Sequence, residues 1–190
     1  AMDATVETDV NAIMKVAVKK FGSIDVLVCS AGIASRTEVL SLTKENFEKV
    51  LKVNLTSVFL CSKAAAKIME KLNGGSIINI SSILGSTALP GRAAYCASKG
   101  AVIQLSKAMA LEWADKKIRV NTICPGFTET PLTATHLENK EVLKFIQERT
   151  PLKRFAQPEE MVGGIMFLAS EQASFITGTS LFIDGGWTAW

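Results

Sequence analysis

Histidine and tyrosine are nearly absent from this sequence: the single histidine is His136 and the single tyrosine is Tyr95. One histidine argues against a zinc site and against a Ser-His-Asp triad, since both need imidazole groups at defined positions. The four cysteines, Cys29, Cys61, Cys96 and Cys124, are too far apart in sequence to act as paired metal ligands. They predict reduced, mostly buried thiols, as in cytoplasmic proteins, and no metal site.

An excess of charge of one sign and long apolar runs are lacking as well. Lys and Arg number 21 against 18 Asp and Glu, a formal net charge of +3. This balance argues against a protein that relies on nucleic-acid electrostatics, which requires a dense basic face. No apolar run approaches the roughly 20 residues of a membrane span. The N-terminus also lacks a basic region followed by an apolar core, so we expect a cytoplasmic protein without a nucleic-acid or membrane partner.

The 190 residues, 48% of them hydrophobic, predict one domain over 1–190 without a linker or an internal repeat. Helical spacing of apolar residues alternates with short apolar runs typical of buried strands. The predicted helices are 8–21, 43–72, 95–114, 140–149 and 158–169, and the predicted strands are 24–29, 76–80, 118–124 and 180–183. This order indicates an α/β fold, a Rossmann-like doubly wound parallel sheet with helices on both faces. Ligands of such sheets bind at the carboxyl ends of the strands.

Polar residues that could carry chemistry cluster at these strand ends. Tyr95 and Lys99 are four positions apart and share a helix face, so the ammonium can favour phenolate and bring the phenol pKa toward neutrality. Ser82 follows the strand 76–80, where its hydroxyl can donate a hydrogen bond to a substrate oxygen. Asn54 lies inside an apolar helical stretch. Its alternative role is a hydrogen bond between two helices.

Together, Asn54, Ser82 and the segment from Tyr95 to Lys99 resemble the Asn-Ser-Tyr-Lys tetrad of the short-chain dehydrogenase/reductase family. Further similarity lies in residues 79–82, 125–130, 176–178 and 184–186, in the family's order. The resemblance implies an oxidoreductase that interconverts a secondary alcohol and a ketone with NAD or NADP. Tyr95 would be the acid/base, Lys99 would lower the phenol pKa and hold the nicotinamide ribose, Ser82 would position the substrate oxygen, and Asn54 would hold a water that relays protons to Lys99.

The same resemblance implies a set of cofactor-binding residues. Gly32 and its neighbours match a segment beneath the adenosine ribose, although Cys29 and Ser30 replace two usual asparagines. The implied contacts, besides Tyr95 and Lys99, are Asp3, Ser30, Ala31, Gly32, Pro125, Gly126, Thr128 and Thr130. The choice between NAD and NADP is set in the family by residues after its second strand, which have no counterpart in residues 1–190.

Family members begin with a strand and a glycine-rich turn that holds the pyrophosphate. Residues 1–190 contain no glycine before Gly22, and Asp3 corresponds to the end of the family's third strand. Two readings stay open. The preceding strands belong to the protein but lie outside these residues, or the chain is a truncated form with an idle tetrad that serves in oligomerisation or as a scaffold.

The substrate side is less specific. The final residues resemble gluconate 5-dehydrogenase-like members slightly more than 3-oxoacyl-ACP reductase-like ones, which favours a sugar or polyol ketone over a 3-oxoacyl thioester. Residues 132–155 are expected to form a substrate lid lined by Leu132, Leu137, Phe145 and Ile146. The second and third helices have more small and apolar residues than one sheet face needs, namely Ala64, Ala65, Ala101, Met109 and Trp113. The family resemblance implies that such helices form the interfaces of a homo-oligomer, a tetramer in preference to a dimer.

Overall fold

A computed structural model describes residues 2–134 and 139–189 of the chain. Helices and strands alternate, as the apolar pattern predicts, and their bounds lie close to the predicted ones. The helices are α1 (Glu7–Phe21), α2 (Lys44–Leu51), α3 (Ser57–Met69), α4 (Ala93–Glu112), α5 (Lys140–Arg149) and α6 (Glu159–Ala169). The strands are β1 (Val26–Cys29), β2 (Gly75–Ile80), β3 (Ile118–Pro125) and β4 (Ser180–Ile183).

The four strands form one parallel sheet in the order β1-β2-β3-β4. Cys29 pairs with Asn79, Ile80 with Ile123, and Pro125 with Ile183, so the carboxyl ends of all four strands lie along one edge. This confirms the α/β class and the parallel sheet. It also places the loops that follow Cys29, Ile80, Pro125 and Ile183 side by side.

Helices cover both faces of the sheet, as predicted. Alternate residues of the central strands point to opposite layers, since successive side chains of a strand do so. Ile77 and Val120 pack in one core with α1, α3 and α4, whereas Ile78 and Ile123 pack in a second core with Leu168 of α6. Each of these buried side chains stabilises the fold by roughly 1.5–3 kcal/mol through the hydrophobic effect.

The predicted helix 43–72 is a continuous helical run with a widened turn inside it. The Thr43 hydroxyl accepts a hydrogen bond from the amide of Asn46 at 3.3 Å and caps the start. Residues Lys52–Thr56 form a π-turn between α2 and α3, in which the Ser57 amide bonds the Lys52 carbonyl. Such turns are frequent at functional sites, and this one contains Asn54.

The outer side of β1 and the adjacent face of α1 expose apolar side chains. Val26 and Val28 of β1 are 42% and 40% exposed, and Phe21 of α1 is 71% exposed. Between them lies a cleft of about 640 Å³, called here the edge cleft, which is also lined by Ile13, Ile24, Ser30, Ala31 and Cys61. Of the helices in the described part of the chain, none combines the length and the apolar character that crossing a membrane requires.

Candidate active site

Two glycines bring α4 close to the carboxyl end of β2. A Cβ atom on Gly85 would lie 2.8 Å from Ile103 Cδ1 and 2.9 Å from the Lys99 carbonyl oxygen, and one on Gly100 would lie 3.2 Å from the Gly85 carbonyl oxygen. The Ser81 hydroxyl also donates to the Lys99 carbonyl at 2.8 Å. Because a side chain at Gly85 would clash and one at Gly100 would be tightly packed, the two glycines allow α4 to lie against the turn that follows Ser82.

Ser82 is placed where β2 ends and a short 3₁₀ turn, Ile83–Gly85, begins. Its hydroxyl accepts a hydrogen bond from the Leu84 amide at 3.1 Å and so caps this turn. The residue is largely buried, and its hydroxyl also hydrogen-bonds the Tyr95 phenol oxygen. The cap and the phenol together orient a hydroxyl that faces the same space as Tyr95.

Lys99 is buried on the face of α4 that also carries Tyr95. Its Nζ lies 5.7 Å from the centroid of the Tyr95 ring and donates to the Ile80 carbonyl at 2.8 Å. Only 4% of the residue is exposed, and this burial lowers its pKa from 10.5 to about 8. At neutral pH the ammonium therefore remains charged inside the protein, next to the phenol ring.

The phenol pKa of Tyr95 departs from the expectation. Burial of Tyr95 raises its pKa, and hydrogen bonding from Ser82 and the positive charge of Arg92 only partly oppose that effect. The prediction that a cation brings the phenol pKa down was wrong in its net direction, because loss of solvent is the largest influence. Arg92 is the cation that acts against it. The phenol is consequently protonated at neutral pH and can donate a proton.

Asn54 joins the loop after β1 to the π-turn and to α4. Its Oδ1 accepts from the Ile33 amide at 2.8 Å, and its Nδ2 donates to the Ile33 carbonyl at 2.9 Å and to the Ser98 hydroxyl at 3.0 Å. A Cβ atom on Gly32 would lie 3.4 Å from Asn54 Oδ1 and 3.5 Å from Lys99 Nζ. Asn54 thus makes the interhelical bond of the alternative reading and also lies beside Lys99.

One cleft collects most of the residues selected from the sequence. This main cleft has a volume of about 480 Å³ and opens at the carboxyl ends of the strands. Its lining includes nine of the twelve selected residues: Ser30, Gly32, Ser82, Tyr95, Lys99, Pro125, Gly126, Thr128 and Thr130. Asn54 lies behind this lining. Ala31 lines the edge cleft instead.

Asp3 does not line the main cleft. Its carboxylate is exposed and accepts a hydrogen bond from the Thr5 amide at 2.8 Å, which lowers the Asp3 pKa. Its own amide donates to the Asp9 carboxylate at 3.0 Å. The structure therefore places Asp3 in the turn before α1, outside the lining of the main cleft.

The loop after β3 is held by a threonine network that the sequence analysis did not identify. The Thr133 hydroxyl accepts from the Thr130 amide at 3.0 Å and donates to the Thr128 carbonyl. Gly126 lies against the residue that follows β4, since a Cβ atom there would be 2.7 Å from Asp184 Cα. Threonines spaced two or three residues apart after a Pro-Gly pair are the signal that could have indicated Thr133.

The main cleft fits the nicotinamide half of a dinucleotide. The glycines at 32 and 126 leave backbone exposed at its walls, and Lys99 Nζ lies 3.5 Å from where a side chain on Gly32 would begin. A nicotinamide ribose has hydroxyls that such an ammonium can bind. In the described residues before β1, no glycine-rich turn is present to bind a pyrophosphate.

Beyond Tyr95 lie two further spaces that contain residues the sequence analysis missed. The tyrosine pocket, of about 70 Å³, is lined by Ala34, Ser82, Ile83, Leu84, Arg92, Tyr95, Gly126, Phe127, Leu132 and Thr133. The outer cleft, of about 440 Å³, shares Arg92 and Phe127 with that pocket and is otherwise lined by Arg36, Glu38, Leu89, Pro90, Gly91, Val142, Phe145 and Ile146. Arg92 precedes Tyr95 by three positions, a spacing that places both on one side of a helix start.

The predicted lid residues fall partly on these spaces. Leu132 lines the tyrosine pocket, and Phe145 lines the outer cleft and is 46% exposed. Ile146 also borders the outer cleft but is buried against Phe155 and Trp187. Leu137, like His136, lies outside the described residues.

Comparison with known proteins gives consistent matches along the chain. A family model described as enoyl-(acyl carrier protein) reductase matches residues 1–188. The 2-(R)-hydroxypropyl-CoM dehydrogenase of Xanthobacter autotrophicus is 41% identical over 190 residues, which cover 98% of this chain and 76% of that protein. The 3-oxoacyl-[acyl-carrier-protein] reductase of Synechocystis is 43% identical over 179 residues, or 94% of this chain and 70% of that protein.

A solved structure matches this chain along its whole length. The gluconate 5-dehydrogenase of Burkholderia cenocepacia, crystallised with NADP and tartrate, superposes with a TM-score of 0.97 at 35% identity. The match covers 100% of this chain and 74% of that one.

Proposed function

The chain belongs to the short-chain dehydrogenase/reductase family of oxidoreductases, and we propose that it interconverts a secondary alcohol and a ketone with NAD or NADP. The observation that carries this proposal is the convergence of the Ser82 hydroxyl, the Tyr95 phenol and the Lys99 ammonium on one cleft. When bound, the dinucleotide supplies or accepts the hydride. The residues of the chain bind and orient the reactants and move the proton.

Tyr95 is the proton donor to the substrate oxygen when the ketone is reduced, and the acceptor in the reverse direction. Its raised pKa suits donation, since the phenol is protonated at neutral pH. The Ser82 hydroxyl, fixed by the Leu84 amide, donates a hydrogen bond to the same substrate oxygen. The carbonyl is thereby polarised by two hydroxyls while its carbon faces the main cleft.

Lys99 and Asn54 act on the other side of the phenol. Lys99 Nζ, held by the Ile80 carbonyl, is placed to bind the ribose hydroxyls of the nicotinamide half. Asn54 fixes the Ile33 backbone, which positions Gly32 beside the same ammonium. Pro125, Gly126, Thr128 and Thr130 are proposed to complete the binding of that half, while Asp3, Ser30 and Ala31 would approach the adenosine half.

The shape of the substrate side supports a small polar ketone or the end of a longer one. The tyrosine pocket has room for the reacting carbonyl, and the outer cleft has room for an attached chain. A sugar or polyol ketone and a 3-oxoacyl thioester are both compatible with this arrangement. The relatives named above include a gluconate 5-dehydrogenase and a 3-oxoacyl reductase.

Replacement of Tyr95 by Phe tests the proposal. The ring and its packing stay, but the proton donor is lost, so kcat/KM for ketone reduction should fall by about 10²–10⁴-fold with NADH or NADPH. Lys107→Gln at an exposed position of α4 is the control and should retain wild-type activity. Unchanged turnover of a ketone panel by Tyr95→Phe would contradict the acid/base role.

A second candidate is a chain without turnover that serves in oligomerisation or as a scaffold. The observation that favours it is the exposed apolar surface of α1 and β1 around the edge cleft. Titration of the 190-residue chain with NADH and NADPH, followed by nucleotide fluorescence, separates the two candidates. Saturable binding favours the oxidoreductase, and no binding favours the scaffold.

A homo-oligomeric, cytoplasmic protein is also proposed, with four copies favoured over two. Ala64, Ala65 and Met109, selected from the sequence as surplus apolar residues, are buried in the chain's own core, so that argument for oligomerisation was wrong for these three residues. The apolar residues exposed on the same helices are Phe59 and Leu111. They support the proposal in place of the buried set.

A further inference from the structure

Two cations lie near Tyr95 and line different spaces. Lys99 lines the main cleft, whereas Arg92 lines the tyrosine pocket and the outer cleft. The proposed function uses Lys99 toward the dinucleotide and leaves Arg92 without a role. Arg92 and Phe127 are common to both spaces on the substrate side, so a group that joins the reacting carbonyl to the outer cleft would lie beside them.

The guanidinium of Arg92 is held in place and partly removed from water. Its Nη1 donates to the Ser35 carbonyl at 3.2 Å, which ties the side chain to the loop after β1. Burial lowers the Arg92 pKa, and Arg36 acts in the same direction as a like charge. A positive group under these influences is stabilised by an anion that arrives at the same place.

The outer cleft combines this charge with an apolar wall. Its lining contains two cations, Arg36 and Arg92, and one anion, Glu38, and apolar side chains such as Leu89, Phe127 and Phe145 form much of the rest. A substrate suited to these surroundings has a short apolar chain and an anionic end. Guanidinium groups bind carboxylates with two parallel hydrogen bonds, which is a specific and strong pairing.

We propose that the substrate of this site carries a carboxylate beyond the reacting carbonyl, and that Arg92 binds this carboxylate where the tyrosine pocket meets the outer cleft. Arg36, which also lines the outer cleft, contributes as a second, weaker determinant. This inference rests on the proposed function for the identity of the reacting carbonyl, but the anion site stands on the position of Arg92.

The test compares ketones that differ only in charge. 3-Oxobutanoate and 5-oxohexanoate are paired with 3-oxobutanamide and 5-oxohexanamide, which have nearly the same shape but no charge. Binding is followed by tryptophan fluorescence, because the Trp187 ring packs 5.1 Å from Phe127 and 6.1 Å from Phe145, which line the outer cleft. Reduction with NADH and NADPH is measured separately as kcat/KM.

At least one carboxylate should bind about 10- to 100-fold more tightly than its amide, as expected for a charged hydrogen-bonded pair. Arg92→Gln should remove this preference, Arg92→Lys should restore part of it, and Arg36→Gln should reduce it less. Lys107→Gln, which removes a positive charge from an exposed position of the same helix, should leave the ratio unchanged.

Each result bears on one of the two proposals. Equal binding of carboxylate and amide, or a preference that survives in Arg92→Gln, would overturn the carboxylate site even if both ketones are reduced. A preference that depends on Arg92, without reduction of any ketone by NADH or NADPH, would support the carboxylate site and count against the proposed function.

Discussion

The start of α4 and the edge formed by α1 and β1 contrast in what they bury. At the start of α4, Asn54 and Ser98 are fully buried and Lys99 is 4% exposed, whereas at the edge Val16 is 56% and Phe21 71% exposed. Within residues 2–134 and 139–189, every buried side-chain nitrogen and oxygen has a hydrogen-bond partner. The first region buries polar groups, while the second exposes apolar ones. Both differ from the usual arrangement, in which apolar side chains are buried and polar ones are exposed.

The difference teaches that the two regions owe their residues to different requirements. Burial of Lys99 opposes folding, and the bond to the Ile80 carbonyl only partly offsets this. Such a residue is explained by the chemistry proposed for the main cleft. Exposure of the apolar edge does not oppose folding in this way. Its residues are also not explained by packing within the chain's own cores.

The largest expected effect concerns Lys99, whose pKa is lowered from 10.5 to about 8 in the folded chain. Between these values the unfolded chain binds a proton that the folded chain has released, so the free energy of unfolding rises with pH. Lys99→Met lacks this dependence. From pH 7 to pH 10.5, wild type should gain about 3 kcal/mol relative to Lys99→Met, and the variant should lose ketone reduction.

Urea denaturation at several pH values measures this difference. Lys107→Met, a change at an exposed position of the same helix, is the matched control and should follow the pH dependence of wild type. Parallel stability curves for wild type and Lys99→Met would show that Lys99 is solvated, and the contrast between the two regions would then lose its basis.

The next effect concerns Gly85, where the 3₁₀ turn meets α4. Gly85→Ala places a methyl group within 2.9 Å of Ile103 Cδ1, Ser81 Oγ and the Lys99 carbonyl. Overpacking of this kind destabilises by about 1–3 kcal/mol, and the shift of α4 should also reduce kcat/KM.

Gly163→Ala in α6 is the matched control, since a Cβ atom there would meet nothing within 4 Å. It should stabilise by about 0.5–1 kcal/mol, because alanine favours the helix. Thermal and urea unfolding check both variants. Equal stability of the two alanine variants would contradict the close approach at the start of α4.

Most of the fold could be predicted from the sequence. For the site, the sequence predicted those features that depend on local patterns. Strand ends and a helix-face pair are local features, so the carboxyl-edge location of Ser82, Tyr95 and Lys99 could be predicted. The raised pKa of Tyr95 depends on burial by distant segments, and no spacing reveals it. Arg92 was missed because a charged residue at a helix start usually faces solvent.

Other features depend on competing local bonds. The π-turn around Asn54 is fixed by its contacts with Ile33 and Ser98, which lie far away in sequence. Asp3 is assigned to adenosine through resemblance, and the bond from the Thr5 amide to its carboxylate is a local contact that the resemblance does not reveal. Residue type and order therefore predicted which loops form the site. Tertiary contacts determined the hydrogen bonds and the pKa values of the side chains in it.

The smallest expected effect concerns two valines, one in the core and one at the edge. The same substitution to alanine at each position compares what the two regions contribute to stability. Val120 of β3 is fully buried, whereas Val28 of β1 is 40% exposed. Val120→Ala should destabilise by about 2 kcal/mol through lost burial and the cavity left behind, and Val28→Ala by at most about 0.5 kcal/mol. Urea unfolding at two protein concentrations gives both values. A loss for Val28→Ala as large as that for Val120→Ala would mean that the edge is covered in solution, and a dependence of that loss on concentration would identify the cover as a second copy of the chain.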